Sequence, residues 1–271
     1  MPTTTLPLIL AGAAGKMGRE IATLVRADAA LELVAALEAT GSAALGKPLV
    51  DVEHRAGPPV VTALADWALE AMPAGAVVID FSSPKGLGAL AEKFLAVRPL
   101  PLVTGTTGLG PDEERLLAEL AERSAVLHSP NMSLGVAATR AAAALLARAL
   151  GPGFDVEIAE IHHTAKKDAP SGTALALARS VLEARGEVSA PVFDRTTRGR
   201  PRERGGVGVV ALRGGAVVGE HTVYFLGEDE RIDLTHRAVS RRVFARGALR
   251  AASWLAGRAP GRYSMDDVLR G

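Results

Sequence analysis

Apolar positions in the first half of the chain fall into short unbroken runs, separated by longer stretches with helical spacing. LPLILAG (6–12), LELVAALE (31–38), PVVT (59–62), AVVIDFSS (76–83), PLVTGTT (101–107) and AVLHSPN (125–131) read as strands. GREIATLVRAD (18–28) and the segments near 63–72, 84–97, 111–124 and 133–150 read as helices. Runs that are apolar at nearly every position suit strands covered on both faces. Their alternation with helices predicts βαβ units in a mostly parallel sheet.

The rhythm changes after Gly151-Pro152-Gly153. DVEIAEIHH (155–163) alternates like a strand, and SGTALALARSVLEARG (171–186) has helical spacing. Three runs without helical spacing follow: VGVVALRGG (207–215), AVVGEHTVYFLG (216–227) and ERIDLTHRAV (230–239). Gly-Gly separates the first two and Gly-Glu-Asp the last two, so two hairpins are expected. The prediction is α/β overall: a mostly parallel sheet domain plus an α+β domain with a mainly antiparallel sheet. An amphipathic helix near 241–257 is expected to return to the first domain, giving boundaries of 1–131 with 241–271 and of 132–240. Between them, RTTRGRPRERGG (195–206) reads as a solvated basic loop, with an Arg-bearing flap toward an anion as the sharper alternative.

Composition narrows the field. With 271 residues, 48% hydrophobic content and a net charge of +1, the chain has the makeup of a soluble globular protein, not of a dedicated nucleic-acid binder. It has no cysteine, hence no disulfide, thiolate metal site or cysteine nucleophile. The N-terminal apolar run is too short to span a membrane and lacks a basic leader, so a cytoplasmic location is expected.

Candidate chemistry appears at two places. Gly12-Ala13-Ala14-Gly15-Lys16-Met17-Gly18 follows the first strand and opens a helix, where backbone N–H groups can approach a phosphate. The spacing is G-x-x-G-x-x-G. Glu38, about 20 residues on at the end of the second strand, is placed to meet a ribose diol. Three more polar turns close strands on the same edge: Phe81-Ser82-Ser83, Gly105-Thr106-Thr107 and Ser129-Pro130-Asn131. Together they suit an extended nicotinamide cofactor.

The second place is Glu160-Ile-His-His-Thr-Ala-Lys-Lys-Asp-Ala-Pro-Ser-Gly-Thr173. Adjacent residues of a strand face opposite ways, so His162 and His163 make a poor chelate. With no third ligand at suitable spacing nearby, no metal is expected. Taken singly, each histidine reads as a hydrogen-bonded strand end, and Lys166 and Lys167 as solvated. Together they stand before a helix N-terminus that can hold a small polyanion, with a His or Lys acid beside it.

This stretch closely resembles the E-x-H-H-x-x-K-x-D-A-P-S-G-T signature of 4-hydroxy-tetrahydrodipicolinate reductases, also called dihydrodipicolinate reductases. Gly12–Gly18, Gly105–Thr107, Pro130-Asn131, Gly219-Glu-His-Thr222 and the tail Met265-Asp-Asp-Val-Leu269 resemble the family in the same order. The resemblance implies NAD(P)H-dependent reduction of a cyclic dicarboxylate to tetrahydrodipicolinate in lysine/diaminopimelate biosynthesis. It implies a Rossmann-like first domain, a substrate domain that builds a homotetramer through its sheet, and closure of one domain on the other. By position, His162 is implied as proton donor/acceptor and Lys166 as a second proton donor. His163, Gly172 and Thr173 are implied as carboxylate holders. Gly12, Ala13, Ala14, Gly15, Lys16, Met17, Glu38, Gly105, Thr106, Thr107, Ser129, Pro130, Asn131 and Met132 are implied to line NADH or NADPH. Many members place a basic residue after the ribose-binding acid; here Ala39 stands there. NADH is therefore expected to serve at least as well as NADPH, unless Lys16 or Arg19 meets the 2′-phosphate.

Two other readings carry less. Another two-domain NAD(P)-dependent reductase, of an imino acid or semialdehyde, would share the first half but not the histidine–lysine signature. A non-catalytic nicotinamide-sensing regulator would need no proton donor.

Overall fold

The computed structural model describes residues 5–193, 202 and 205–271, so most of the basic 195–206 segment lies outside the described residues. The chain divides into two compact units: one runs up to Ser133 and resumes over Arg241–Gly271, the other is Leu134–Ser240.

The first unit contains β1 (Leu6–Ala11), α1 (Lys16–Arg26), β2 (Leu31–Glu38), β3 (Pro48–Val50), β4 (Ala56–Ala63), β5 (Val77–Asp80), α2 (Pro84–Ala96), β6 (Leu102–Thr104), α3 (Pro111–Ala121) and β7 (Ala125–His128). The second unit contains α4 (Leu134–Leu150), β8 (Asp155–His162), α5 (Gly172–Arg185), β9 (Val207–Arg213), β10 (Gly219–Leu226) and β11 (Arg231–Ala238). The chain then returns to the first unit with α6 (Arg242–Leu255), β12 (Gly261–Tyr263) and α7 (Met265–Arg270).

In the first unit eight strands run in the order β12-β7-β6-β5-β1-β2-β4-β3. Every pairing is parallel except β3 with β4. The unbroken apolar runs have the burial that a doubly covered sheet requires: Leu8, Ile9, Leu10, Val77, Val78 and Ile79 are fully buried. Ser83 starts α2 by accepting the Gly86 N–H at 3.2 Å, with Pro84 as the first helical residue. The predicted helix at 63–72 is instead turns and one 3-10 turn, Leu69–Ala71. Only Trp67 and Leu69 are buried between Ala65 and Ala71, too narrow an apolar face to hold a longer helix.

The second unit is a mainly antiparallel sheet ordered β11-β10-β8-β9, with α4 and α5 supplying the apolar cover. The hairpin expected at Gly227–Glu230 forms between β10 and β11. The one expected at Gly214-Gly215 does not. β9 pairs in parallel with β8, and β8 lies between β9 and β10. The Gly-Gly turn instead bonds the end of β8: Gly214 N–H donates to the His162 carbonyl at 2.9 Å, and Thr164 N–H to the Gly215 carbonyl at 3.3 Å. Leu134–Gly153, α4 with the turn after it, is long and apolar enough to cross a membrane by length and composition. Here its Ala143 and Ala147 pack in the core with Val156, Leu177 and Phe225.

Candidate functional site

The strand-to-helix turn of the first unit is built as close backbone packing. Gly12 has φ +73°, and a Cβ there would lie 2.5 Å from the Phe81 carbonyl oxygen. A Cβ on Gly18 would lie 2.3 Å from the Gly12 carbonyl oxygen, so α1 can start against the turn only with glycine. The first helical bond of α1 is Arg19 N–H to the Gly15 carbonyl. The N–H groups of Lys16, Met17 and Gly18 therefore stand at the positive helix end without intrahelical acceptors. Glu38 reaches this turn directly, accepting the Ala14 N–H at 2.8 Å. Gly12, Gly15, Glu38 and Ala39 line a cavity of about 280 Å³ with Phe81 and Ser82. Lys16, Met17, Gly105, Thr106 and Thr107 line a second, of about 330 Å³. A glycine cradle at a helix N-terminus beside an acid at the end of β2 fits a dinucleotide pyrophosphate and ribose.

Asp80 holds the neighbouring turns together. One carboxyl oxygen accepts Ser82 Oγ at 2.5 Å and Ser82 N–H at 3.2 Å. The other accepts Thr104 Oγ1 at 2.7 Å and Thr106 Oγ1 at 2.6 Å. Burial pushes its pKa up, and these neutral donors only partly offset that. The Phe81 ring lies over Gly105, where a Cβ would come within 2.2 Å of it.

In the second unit strand alternation puts Glu160 and His162 on the buried face of β8, with the half-buried His163 just past the strand end. Arg213 at the end of β9 forks onto Glu160, Nη1 to Oε2 and Nη2 to Oε1, both at 3.0 Å. The same carboxylate accepts the Ser171 N–H at 3.0 Å and a short bond from His162 Nδ1. Burial alone would raise the Glu160 pKa, but Arg213, His162 and the Ser171 N–H outweigh it and hold it low. For His162 burial dominates and lowers the pKa, against the upward pull of Glu160. The pair is thus a carboxylate and a neutral imidazole carrying its proton on Nδ1.

His221 enters from β10 in register with Glu160 and stacks edge-on to His162, ring centroids 5.1 Å apart. Its Nε2 meets Ser171 Oγ at 3.0 Å, and Ser171 Oγ caps α5 by accepting the Ala174 N–H. Burial, then the charge of a protonated His162, pulls the His221 pKa down to about 4. Gly172 opens α5 and is exposed at its positive end, with Thr173 half-buried beside it. Lys166 Nζ pairs with Asp168 Oδ2 at 2.8 Å, which holds the Asp168 carboxyl below its usual range. Lys167 is exposed.

The fold brings together a trio that strand spacing did not reveal. Glu160, His162 and His221 offer ligand atoms within 4.8 Å of one another, because His221 arrives from another strand. Each Glu160 oxygen already accepts two protein donors, which fills its lone pairs. Arg213 adds a positive charge against any cation. Glu160 is thus satisfied by protein hydrogens, while His221 Nδ1 is buried without a hydrogen-bond partner.

Of the residues singled out from sequence, Gly12, Gly15, Lys16, Met17, Glu38, Gly105, Thr106 and Thr107 share the two cavities. Ala14 lines an adjoining one with Lys16 and Arg19. Ala13 is fully buried, and so is the side chain of Met132, whose carbonyl packs on Gly247; both contribute packing. Ser129 and Asn131 form a tight turn around Pro130, with Ser129 Oγ donating to the Asn131 carbonyl at 2.8 Å. Arg213 is not singled out by sequence, and His221 enters only within the Gly219-Glu-His-Thr222 resemblance, without a role. Alternation in GEHTVYFL puts His221 on the same face as Val223 and Phe225, and that was the available signal.

Residues 6–132 match the family model described as dihydrodipicolinate reductase, N-terminus, and residues 135–269 the one described as dihydrodipicolinate reductase, C-terminus. A 4-hydroxy-tetrahydrodipicolinate reductase of Myxococcus xanthus (strain DK1622) is 48% identical over 264 residues, covering 96% of each chain. One from Anaeromyxobacter dehalogenans (strain 2CP-C) is 46% identical and covers 97% of each. The fold is similar to that of the dipicolinate-bound dihydrodipicolinate reductase from Paenisporosarcina sp. TG-14. That structure matches with TM-score 0.72 and 24% identity over 96% of this chain and 98% of that one.

Proposed function

The chain belongs to the dihydrodipicolinate reductase family, and from that premise we propose how its two units share the work. The protein is an NAD(P)H-dependent oxidoreductase that reduces 4-hydroxy-tetrahydrodipicolinate to tetrahydrodipicolinate in lysine/diaminopimelate biosynthesis. A bound nicotinamide supplies the hydride. The first unit, to about residue 131 and from 241 onward, holds it: the Gly12–Gly18 turn takes the pyrophosphate, Glu38 the ribose, and the 105–107 and 129–131 turns the remainder.

The second unit, about 132–240, holds the substrate. Gly172 and Thr173 at the head of α5, with His163, hold its carboxylates through donors that need no reorganisation. Loss of the 4-hydroxyl as water leaves a conjugated ring; hydride addition to that ring leaves electron density that must take a proton, and His162 and Lys166 are the donors assigned to it. Low His162 pKa in the free protein makes an incoming dicarboxylate the group that raises it, since a nearby anion favours imidazolium. The observation that carries this reading is the Arg213–Glu160–His162 chain tied to the Ser171-Gly172-Thr173 turn. Substrate-dependent oxidation of NADH tests it, with freshly generated 4-hydroxy-tetrahydrodipicolinate; turnover only on another imine or carbonyl would overturn it.

NADH serves at least as well as NADPH. Ala39 offers no cation to a 2′-phosphate, and the Arg19 guanidinium is engaged with the Asp51 carbonyl at 2.8 Å. Comparing the two dissociation constants checks this, and a strong NADPH preference would contradict it. The sheet face turned away from α4 and α5 carries Val210 and Leu212 on β9, 56% and 49% exposed, with Leu212 in register with Ile161 of β8. That face supports a homotetramer, which analytical ultracentrifugation tests. A cytoplasmic location accords with a soluble biosynthetic enzyme.

A further inference from the structure

Glu160 is where the separate pieces of the candidate substrate site meet. Its two oxygens receive His162 from its own strand, Ser171 from the head of α5, and both arms of Arg213 from β9. Arg213 continues to the Asp168 carbonyl, at the start of the loop that leads to Ser171. A change in the position or charge of this one side chain therefore reaches the proton donor and the carboxylate-holding turn together.

We infer that Glu160 is a positioning residue: one buried carboxylate that fixes His162 as its Nδ1–H tautomer and seats the Ser171-Gly172-Thr173 turn, with Arg213 as its fixed counterion. The inference rests on the proposed role of His162 as proton donor and extends it. An ionised carboxylate has no proton to give, so the His162 nitrogen facing it must carry the hydrogen. That leaves Nε2 as the nitrogen that gains and loses the transferred proton. Gly219 makes room for that edge of the ring, since a Cβ there would lie 2.9 Å from Nε2. Arg213 stays charged at any working pH and keeps Glu160 ionised. Ser171 is seated from both sides, its N–H on Glu160 and its Oγ on His221.

The charged and titratable groups around His162 are Glu160 on its strand, Lys166 in the following loop, Arg213 on β9 and His221 on β10; His236 on β11 stands behind His221 in register. Glu160 pulls the His162 pKa up, while Lys166 and Arg213 push it down. Removing the two partners must then have opposite effects, which a merely structural role would not produce.

The test is a histidine-selective NMR titration of the full chain without cofactor, with His162 identified through His162→Asn, alongside the pH profile of kcat. In the wild type the neutral ring is protonated at Nδ1. Glu160→Gln lowers the His162 pKa and mixes the tautomers. It also moves the alkaline limb of the kcat profile to lower pH and reduces kcat roughly 10²-fold, the low end of a positioned acid's contribution. NADH affinity is unchanged. Arg213→Gln raises the His162 pKa and moves the limb up, and Arg213→Lys, which keeps the charge, brings it back toward wild type. A His162 that titrates alike in all variants, or moves the same way in both, overturns the inference. If His162 responds as expected while the kcat limb stays still, the positioning stands and the proton-donor reading of His162 falls. Should Glu160→Gln fail to fold, the Gln and Lys variants of Arg213 still decide the sign.

Discussion

Asp80 and Glu160 invite comparison: each is a fully buried carboxylate near the C-terminal end of a strand, one in each unit. Asp80 sits among three hydroxyls and one N–H, all neutral, and its pKa is pushed up by burial. Glu160 sits between an arginine fork, an imidazole and an N–H, and its pKa is held down. The neutral cage draws together the 82, 104 and 106 turns, which under the proposed assignment face the polyanionic cofactor. The charged cage keeps a carboxylate ionised next to a histidine, as proton traffic requires. The two units bury the same chemical group among different donors, and under the proposed assignment that difference matches their different tasks.

The sharpest way to break the comparison is to remove one charge from each cage. Glu160→Gln leaves the half-buried Arg213 without its anion and the His162 Nδ1–H without a charged acceptor, so it should lower stability by about 2–3 kcal/mol, read from denaturant unfolding. Asp80→Asn should be far milder, about 1 kcal/mol, because hydroxyls can reverse from donor to acceptor and an arginine cannot. Equal losses in the two variants would show that the cages do not differ as described.

Acid should separate the units next. His221 is buried neutral, with a pKa of about 4 against an ordinary 6.5. Its folded pKa is depressed, so its contribution is fully present above about pH 6.5 and is lost as pH falls toward 4. In the first unit, burial would raise Asp51, but the Arg55 N–H and guanidinium and then Arg26 overcome it and hold it at about 2. Its contribution persists above its ordinary 3.8 and fades only as pH falls toward 2. Hydrogen-exchange protection across β8 and β10, taken relative to the intrinsic rate at each pH, should therefore fall between pH 6 and 4, before the strands of the first unit respond, and His221→Gln should flatten that response.

A smaller effect probes the backbone-built side alone. Gly18→Ala places a methyl against the Gly12 and Ala13 carbonyls, which cannot swing aside as a side chain would. It should cost about 1–3 kcal/mol and weaken NADH binding, while a cyclic dicarboxylate still binds as before. Calorimetric titration of each ligand reads both halves.

Much of this was legible in sequence. Unbroken apolar runs such as LPLILAG marked the parallel strands, and the Gly12–Gly18 turn marked the start of α1. What stayed hidden depends on pairing between distant segments. Gly214-Gly215 reads as a hairpin, yet β9 runs parallel to β8, a choice made by the apolar cover of α5 over Val207 and Val209. β3 and β12 have three residues each, too few for periodicity to register. In the site, His162, Lys166 and the Gly172-Thr173 turn lie in one contiguous motif, whereas Arg213 and His221 reach Glu160 and Ser171 only through the sheet.

The central claim is that coenzyme is held by the first unit and protons are delivered by the second, and one paired measurement tests it most directly. Substrate-dependent NADH oxidation and NADH affinity are determined together for wild type, His162→Ala and Lys166→Ala. The account predicts kcat lower by roughly 10²-fold or more in each variant, with NADH binding nearly unchanged. Full activity in both variants, or loss of NADH binding in step with activity, would contradict it.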